Sequence, residues 1–169
     1  MTKLVSMIAA LALGIGLVAP VSAADVVSGP GRTVDADIIM VGKQRVILYG
    51  IDAPDRDQIC QVGELLWGCW DAAKGALDGL MGTNEVACTL TDEKPDPFGR
   101  RWGTCMVGEM DLSAEMVRIG MARAFVPQTE QYLPLETEAQ AAAVGVFQPG
   151  AVVDLPWKWR AEHSRSPYR

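Results

Sequence analysis

The chain has 169 residues, of which 49% are hydrophobic, and a formal net charge of −6 at pH 7. This length suits one domain built around a single buried core. A protein that holds nucleic acid through its phosphates normally has a basic surface, because its affinity comes from counterion release. The acidic charge therefore argues against a sequence-independent grip on DNA or RNA and against a packaging role, but it leaves an enzyme open.

Residues 1–23 have the pattern of an export signal. Lys3 gives a positive start, residues 4–18 are almost entirely apolar, and Val21-Ser22-Ala23 is a small-residue cleavage motif. A membrane anchor is the alternative, but the apolar run is shorter than the roughly 20 residues that span a bilayer, and no basic cluster follows it. We expect cleavage after Ala23 and an exported protein, periplasmic or secreted, with no stable membrane span.

Two strands joined by a tight turn are predicted between residues 34 and 51. Residues 38–41 are apolar, residues 42–44 form the turn, and residues 45–49 are rich in β-branched and aromatic side chains. The polar, proline-containing residues 52–58 follow as a loop. A helix is then predicted over 70–81, because apolar positions recur three and four residues apart before Gly82.

A hairpin and two further helices complete the pattern. The hairpin strands, Glu85–Leu90 and Arg101–Val107, flank a turn-rich loop. The second helix begins with Asp111 or Ser113 as its N-cap and ends at Gly120. The third spans 134–144, with a proline in its first turn and several alanines. This order predicts a small five-stranded β-barrel of the OB type with about three packed helices, over residues 24–150, and a Pro/Trp/Arg-containing tail over residues 151–169.

All four cysteines follow residue 23, and disulfides persist outside the cytoplasm. Four cysteines allow three pairings. We favour the two local pairs, Cys60–Cys69 and Cys88–Cys105, because the hairpin brings the second pair together. Each bridge would contribute roughly 2–4 kcal/mol. A metal site is the alternative, but no histidine accompanies the cysteines and no Cys-x-x-Cys spacing occurs.

Three short segments carry candidate chemistry: Asp-Ala-Asp at 35–37, Gly-Ile-Asp-Ala-Pro at 50–54 and Phe-Gly-Arg at 98–100. With Glu-Ala-Gln at 138–140, their order resembles the staphylococcal-nuclease-like, or thermonuclease, family over roughly residues 34–147. The likeness is greatest to exported members with two cysteine pairs and a Pro-Trp-x-Trp-Arg tail, here at 156–160. Gly-Ile-Asp-Ala-Pro is the specific motif, whereas Phe-Gly-Arg alone is a weak one.

The resemblance implies an OB-type fold and calcium-dependent hydrolysis of phosphodiester bonds, with single-stranded or flexible nucleic acid as the substrate. Carboxylates hold the hard cation, a further carboxylate orients the attacking water, and two arginines neutralise charge on the phosphate. The resemblance assigns the metal to Asp37, Asp52 and Asp35. It places Asp55 at the position of the glutamate base and Arg100 at that of one phosphate arginine.

Two of the departures from the family pattern bear directly on the rate; Ala36 and Ile38, where the family has glycine and threonine, are the others. Ile47 stands where the family has its other phosphate arginine, a loss that can reduce the rate on the order of 10³–10⁵-fold. Asp55 is one methylene shorter than glutamate, which withdraws the carboxylate by about 1.5 Å, and displacements near that size can cost about 10²-fold. Arg45 lies two residues before Ile47 on the same strand face and is a possible compensating arginine; a solvated surface position is the alternative.

We therefore expect an exported thermonuclease-like domain whose calcium-dependent hydrolysis is weakened or lost. The alternative is a non-catalytic, disulfide-stapled OB-type binding module of the cell envelope, with a protein or glycan partner.

Overall fold

The computed structural model describes residues 25–163, so the predicted export signal lies outside the described residues. The strands, in chain order, are β1 (Val26–Asp35), β2 (Ile38–Val41), β3 (Gln44–Leu48), β4 (Ile51–Asp52), β5 (Cys60–Val62), β6 (Leu65–Trp67), β7 (Glu85–Leu90), β8 (Arg101–Val107), β9 (Met110–Asp111), β10 (Arg123–Ala124) and β11 (Ala151–Val152). The helices are α1 (Cys69–Met81), α2 (Leu112–Arg118), α3 (Leu133–Ala141) and α4 (Pro156–His163), with a short 3-10 helix at Gly145–Phe147.

Five strands close into a barrel. The main sheet has the order β3-β2-β1-β7-β8-β9, and its neighbours pair antiparallel. β3 then pairs in parallel with β8, with Val46 beside Arg101 and Leu48 beside Gly103, which closes strands β3, β2, β1, β7 and β8 into a ring. The predicted five-stranded OB-type barrel is confirmed, and it carries four α-helices where about three were expected.

The core lies inside the barrel and under α1. β7 alternates between exposed and buried positions, so that Val86 and Leu90 point inward, as expected of a strand with one face in the core. Helix α1 contributes Ala73, Leu77 and Met81, which recur every four residues and form one apolar face. The same spacing of apolar residues that predicted this strand and this helix therefore places their apolar side chains in the core.

Both predicted disulfides are present. Cys88 and Cys105 lie directly opposite each other on β7 and β8 and are bonded, and Cys60 is bonded to Cys69. The Cys60–Cys69 bridge ties the start of β5 to the first residue of α1, next to the loop of residues 53–59. It therefore fixes both ends of a small hairpin, β5–β6, that the sequence pattern did not predict.

The tail folds back onto the barrel. β11 pairs with β5, and the buried Gln58 side chain donates a hydrogen bond to the carbonyl oxygen of Asp154 at 2.8 Å. The ring of Trp157 packs on that of Phe125, with centroids 5.5 Å apart. Within residues 25–163, no helix is long and apolar enough to cross a membrane. The tail thus places α4 at the end of the barrel that carries the loop of residues 53–59.

Candidate functional site

The first acidic segment lies at the turn between β1 and β2. One oxygen of Asp35 accepts hydrogen bonds from the amide of Ala36 at 3.0 Å and from the indole nitrogen of Trp70 on α1 at 2.5 Å. The carbonyl oxygen of Asp37 accepts the amide of Leu48 at 2.9 Å. The barrel and α1 therefore hold this turn in place from both sides.

The second segment begins with a glycine that the fold requires. Gly50 has φ +79°, and a Cβ there would lie 2.7 Å from the ring of Tyr132, so a side chain would be both strained and crowded. Its amide donates to the side-chain oxygen of Gln128 at 2.8 Å. The chain then enters β4, where Asp52 pairs with Arg123 of β10. Asp52 is buried, and its position is set by backbone pairing with β10.

Asp55 follows in a tight turn after β4. Its amide donates to the side-chain oxygen of Gln58 at 3.0 Å, and the amide of Gln58 donates back to its carbonyl oxygen at 2.9 Å. The Asp55 residue is 9% exposed. Its carboxylate is thus presented from a buried, hydrogen-bonded turn rather than from a free loop.

Arg100 ends the loop between β7 and β8. Its Nε donates to a carboxylate oxygen of Asp96 at 2.5 Å, and the other oxygen of Asp96 accepts the amides of Phe98 and Arg100 at 2.9 Å. Asp96 therefore holds both the backbone amide and the Nε of Arg100. The Arg100 side chain is only 12% exposed.

One pocket of about 200 Å³ gathers these groups. Its lining contains every predicted metal, base and phosphate residue: Asp35, Asp37, Asp52, Asp55 and Arg100. Ile47 forms part of the wall, beside Trp102 of β8. Residues that are as much as 65 positions apart in the chain therefore meet at one end of the barrel.

The pocket also contains Arg160, which the sequence reasoning missed. From helix α4, its two terminal amino groups donate to Asp52 Oδ2 at 2.5 Å and to Asp55 Oδ2 at 2.8 Å. Its side chain is 27% exposed, whereas those of the two aspartates are 6% and 9% exposed. The Pro-Trp-x-Trp-Arg motif at 156–160 was noted only as part of the resemblance, and no local pattern connects Arg160 with carboxylates 105 and 108 residues earlier.

The carboxylates crowd one another. Burial raises the pKa of Asp37 to about 8, and the carboxylates of Asp52 and Asp35 add to this shift. Burial also raises the pKa of Asp52 to about 6, although Arg160 opposes the shift. The pocket therefore has more negative charge than its arginines neutralise.

The comparison with protein families agrees with this architecture. The family model described as "Staphylococcal nuclease homologue" matches residues 45–148. The chain belongs to this family. The matched segment contains Asp52, Asp55 and Arg100, and begins after Asp35 and Asp37. A search of curated proteins gave no match.

Ile47 is the pocket residue at which the resemblance led us to expect an arginine. An isoleucine side chain here presents hydrocarbon where an arginine would present hydrogen-bond donors. Arg45, the possible compensating arginine, is exposed on β3 opposite Met40 and is not among the residues that line the pocket. The second guanidinium in this pocket is that of Arg160, and it comes from the tail.

The donors have the right chemistry for calcium but not the right arrangement. Carboxylate oxygens are the ligands that Ca²⁺ prefers. Among residues 25–163, however, no three acidic, cysteine or histidine side chains come together in a way that would hold a metal ion. Asp52 and Asp55 instead share the guanidinium of Arg160. In this conformation the residues do not fit a calcium ion.

Proposed function

We propose that this chain is an exported thermonuclease-like domain in which calcium-dependent hydrolysis of phosphodiester bonds in DNA or RNA is weakened or lost. The observation that carries the proposal is the composition of one pocket, where four aspartates and Arg100 face the apolar wall residue Ile47. The acids and Arg100 favour the phosphodiesterase class, and Ile47 favours a low rate.

The roles follow from chemistry and position. Arg100 is the group that we assign to the phosphate oxygens, because a guanidinium offers paired donors to an anion. Asp55 is assigned to the attacking water; its shorter side chain sets the carboxylate back from that water, and its ion pair with Arg160 occupies one of its oxygens. Asp37, Asp52 and Asp35 are the candidate ligands of the cation.

Export to the periplasm or beyond is part of the proposal. Two disulfides are typical of proteins from oxidising compartments. The pattern of residues 1–23 supplies the independent argument for a cleaved signal. The expected substrate, as the family resemblance implies, is a single-stranded or flexible nucleic acid.

A non-catalytic binding module is the second candidate. The ion pairs of Arg160 favour it, because they already neutralise two of the carboxylates that catalysis would use. On this view the barrel and its disulfides serve a protein or glycan partner in the cell envelope.

A nuclease assay separates the two candidates. We expect the oxidised wild-type protein, with Ca²⁺, to cleave single-stranded DNA at least about 100-fold more slowly than the variant Ile47→Arg/Asp55→Glu, since both changes restore family groups. The matched control is the same double variant with Asp37→Ala, which should lose the gain. If wild type cleaves as fast as the double variant, the proposed impairment is wrong. If neither cleaves, the binding module is the better assignment.

A further inference from the structure

Exposed apolar side chains are concentrated on the small sheet β11-β5-β6. Among the described residues, seven large apolar side chains are exposed, and four of them belong to this sheet or directly precede it: Ile59, Leu65, Leu66 and Val152. Leu65 and Leu66, both on β6, are 74% and 78% exposed. Clustered apolar surface of this kind marks interaction sites in soluble proteins.

We propose that the free edge of β6 binds an extended segment of another protein, which is apolar in its middle and carries a lysine or arginine at each end. Such a segment would add a fourth strand to the sheet. The surface is formed by β5, β6 and the start of α1. The inference therefore goes beyond the proposed function, since it does not depend on catalysis in the pocket.

The backbone of β6 is open to a further strand. Within the described part of the chain, β6 pairs only with β5, with Val62 opposite Leu65 and Gln61 opposite Leu66. Val62 and Leu65 flank a two-residue turn and share its hydrogen bond, so the alternating antiparallel pattern directs the N–H and C=O of Leu66 away from β5. β6 also lacks the lysine, proline or bulge that protects many natural edges. A partner strand can therefore bond to Leu66 through its backbone.

The edge is held in one conformation before any partner binds. The Cys60–Cys69 bridge ties the start of β5 to α1. The amide of Gly63 in the turn donates to the carbonyl oxygen of Gly150 at 3.0 Å, and β11 pairs with β5 on the other side. Because the hairpin is already ordered, binding costs little conformational entropy on this side of the interface.

Both ends of this edge are acidic. Glu64 is exposed in the turn before β6. Asp71 lies in the first turn of α1, and one of its carboxylate oxygens is 3.3 Å from where a Cβ on Gly68, the residue after β6, would lie. Neither carboxylate belongs to an ion pair among the described residues. The two charges therefore favour a strand with a cationic side chain at each end.

The same charges argue against two other occupants. If two copies paired antiparallel about Leu66, Glu64 of one copy would lie opposite Gly68 of the other. Asp71 of that second copy is next to this position, and the two carboxylates would repel. An anionic lipid surface would be repelled in the same way, and insertion of the hairpin would carry Glu64 into the apolar layer.

The register defines the peptide that fits. With its central residue opposite Leu66, the segment has apolar neighbours opposite Leu65 and Trp67, and its cationic residues then lie opposite Glu64 and beside Asp71. An edge of three residues buries less surface than a standard interface, so we expect a Kd of about 10–300 µM.

Fluorescence anisotropy of a labelled peptide tests the proposal on the oxidised protein purified after export. The probe is Gly-Lys-Val-Ile-Val-Lys-Gly, blocked at both ends. The matched control has the same sequence with an N-methyl group on the central isoleucine, which removes the donor to the carbonyl oxygen of Leu66 and leaves every side chain unchanged. The control should bind at least about fivefold more weakly than the probe.

A charge reversal checks the ends of the edge. Glu64→Lys should weaken binding of the probe by about threefold or more. Glu109→Lys makes the same change at an exposed glutamate in the matching Gly-Glu turn between β8 and β9, and it should leave binding within about 1.5-fold of wild type.

Four outcomes overturn the proposal. They are no binding of the probe at protein concentrations up to about 1 mM, equal binding of the N-methyl peptide, equal effects of Glu64→Lys and Glu109→Lys, and sedimentation of the wild type as a dimer that Leu66→Lys dissociates. The last would assign the edge to a second copy of the chain. None of these measurements uses nucleic acid, so a failed nuclease assay would count against the proposed function alone.

Discussion

At the scale of single residues, the four acids of the pocket differ in what neutralises them. Asp52 and Asp55 share Arg160, and Asp35 accepts two hydrogen bonds. Among the ion pairs of the described residues none involves Asp37, and burial together with its acidic neighbours raises its pKa to about 8. Because the ordinary value is 3.8, the folded protein favours the protonated form of Asp37 more than the unfolded chain does.

This raised pKa gives a stability prediction with a definite sign. A group whose pKa is raised on folding contributes stability below its unfolded pKa, and that contribution is lost as the pH rises through the folded pKa. Without divalent cations, Asp37→Asn should therefore match wild type near pH 4 and be more stable by about 1–3 kcal/mol above pH 8, a range reduced because the side chain is partly exposed.

Urea unfolding at a series of pH values checks this prediction. Asp92→Asn, at an exposed loop position, serves as the control and should change the free energy of unfolding by less than about 0.5 kcal/mol at either pH. A variant that is less stable than wild type above pH 8 would show that ionised Asp37 is stabilised by a group other than its acidic neighbours.

At the scale of elements, the loop of residues 53–59 and the tail are joined by one side chain. Gln58 is 1% exposed; its oxygen accepts the amide of Asp55, and its nitrogen donates to the carbonyl oxygen of Asp154. The position of α4 therefore depends on the same residue that shapes the turn of Asp55.

Gln58→Ala should consequently weaken both elements. It leaves two polar backbone groups without their partners, and we expect a loss of about 1–3 kcal/mol in the free energy of unfolding with faster hydrogen exchange in α4. Gln61→Ala, three residues later on an exposed position of β5, is the matched control. Equal effects of the two substitutions on exchange in α4 would contradict the role of Gln58 as a link.

The elements also show which features a sequence can predict. The bounds of β7 and β8 and the Cys88–Cys105 pair followed from local alternation and a turn, which are properties of neighbouring residues. The Cys60–Cys69 pair was expected only because those two cysteines are close in the sequence. β1 contains two glycines and a proline, and it is a strand because β2 and β7 pair with it on either side. Helix α4 has little helical periodicity, and it lies in the pocket because of acids more than 100 residues away. The contact of its Arg160 with these acids could therefore be recognised only from the tertiary structure.

At the scale of the whole molecule, the net charge of −6 and the few arginines in the pocket limit how nucleic acid can bind. Of the pocket residues, only Arg100 and Arg160 carry positive charge. Binding of a single strand should therefore displace few counterions.

The salt dependence of binding measures the number of counterions that are displaced. Because Arg160 is paired with Asp52 and Asp55, Arg100 is expected to neutralise one phosphate. The logarithm of the association constant for a single-stranded oligonucleotide should then fall with the logarithm of salt concentration at a slope near about −0.7. Fluorescence anisotropy of a labelled oligonucleotide gives the slope, and Arg100→Gln should reduce its magnitude by about 0.7. A slope steeper than about −3 would reveal a basic binding surface elsewhere on the protein.

The parallel pairing of β3 with β8 also has a consequence for the time course of folding. The hairpins β2–β3 and β7–β8 are local and belong to the microsecond class of events. Val46 meets Arg101 only when a long intervening chain closes into a loop, and such distant pairings slow folding. Since Ile47 and Trp102 are paired across these two strands and both line the pocket, we expect this wall of the pocket to form only after that long loop has closed.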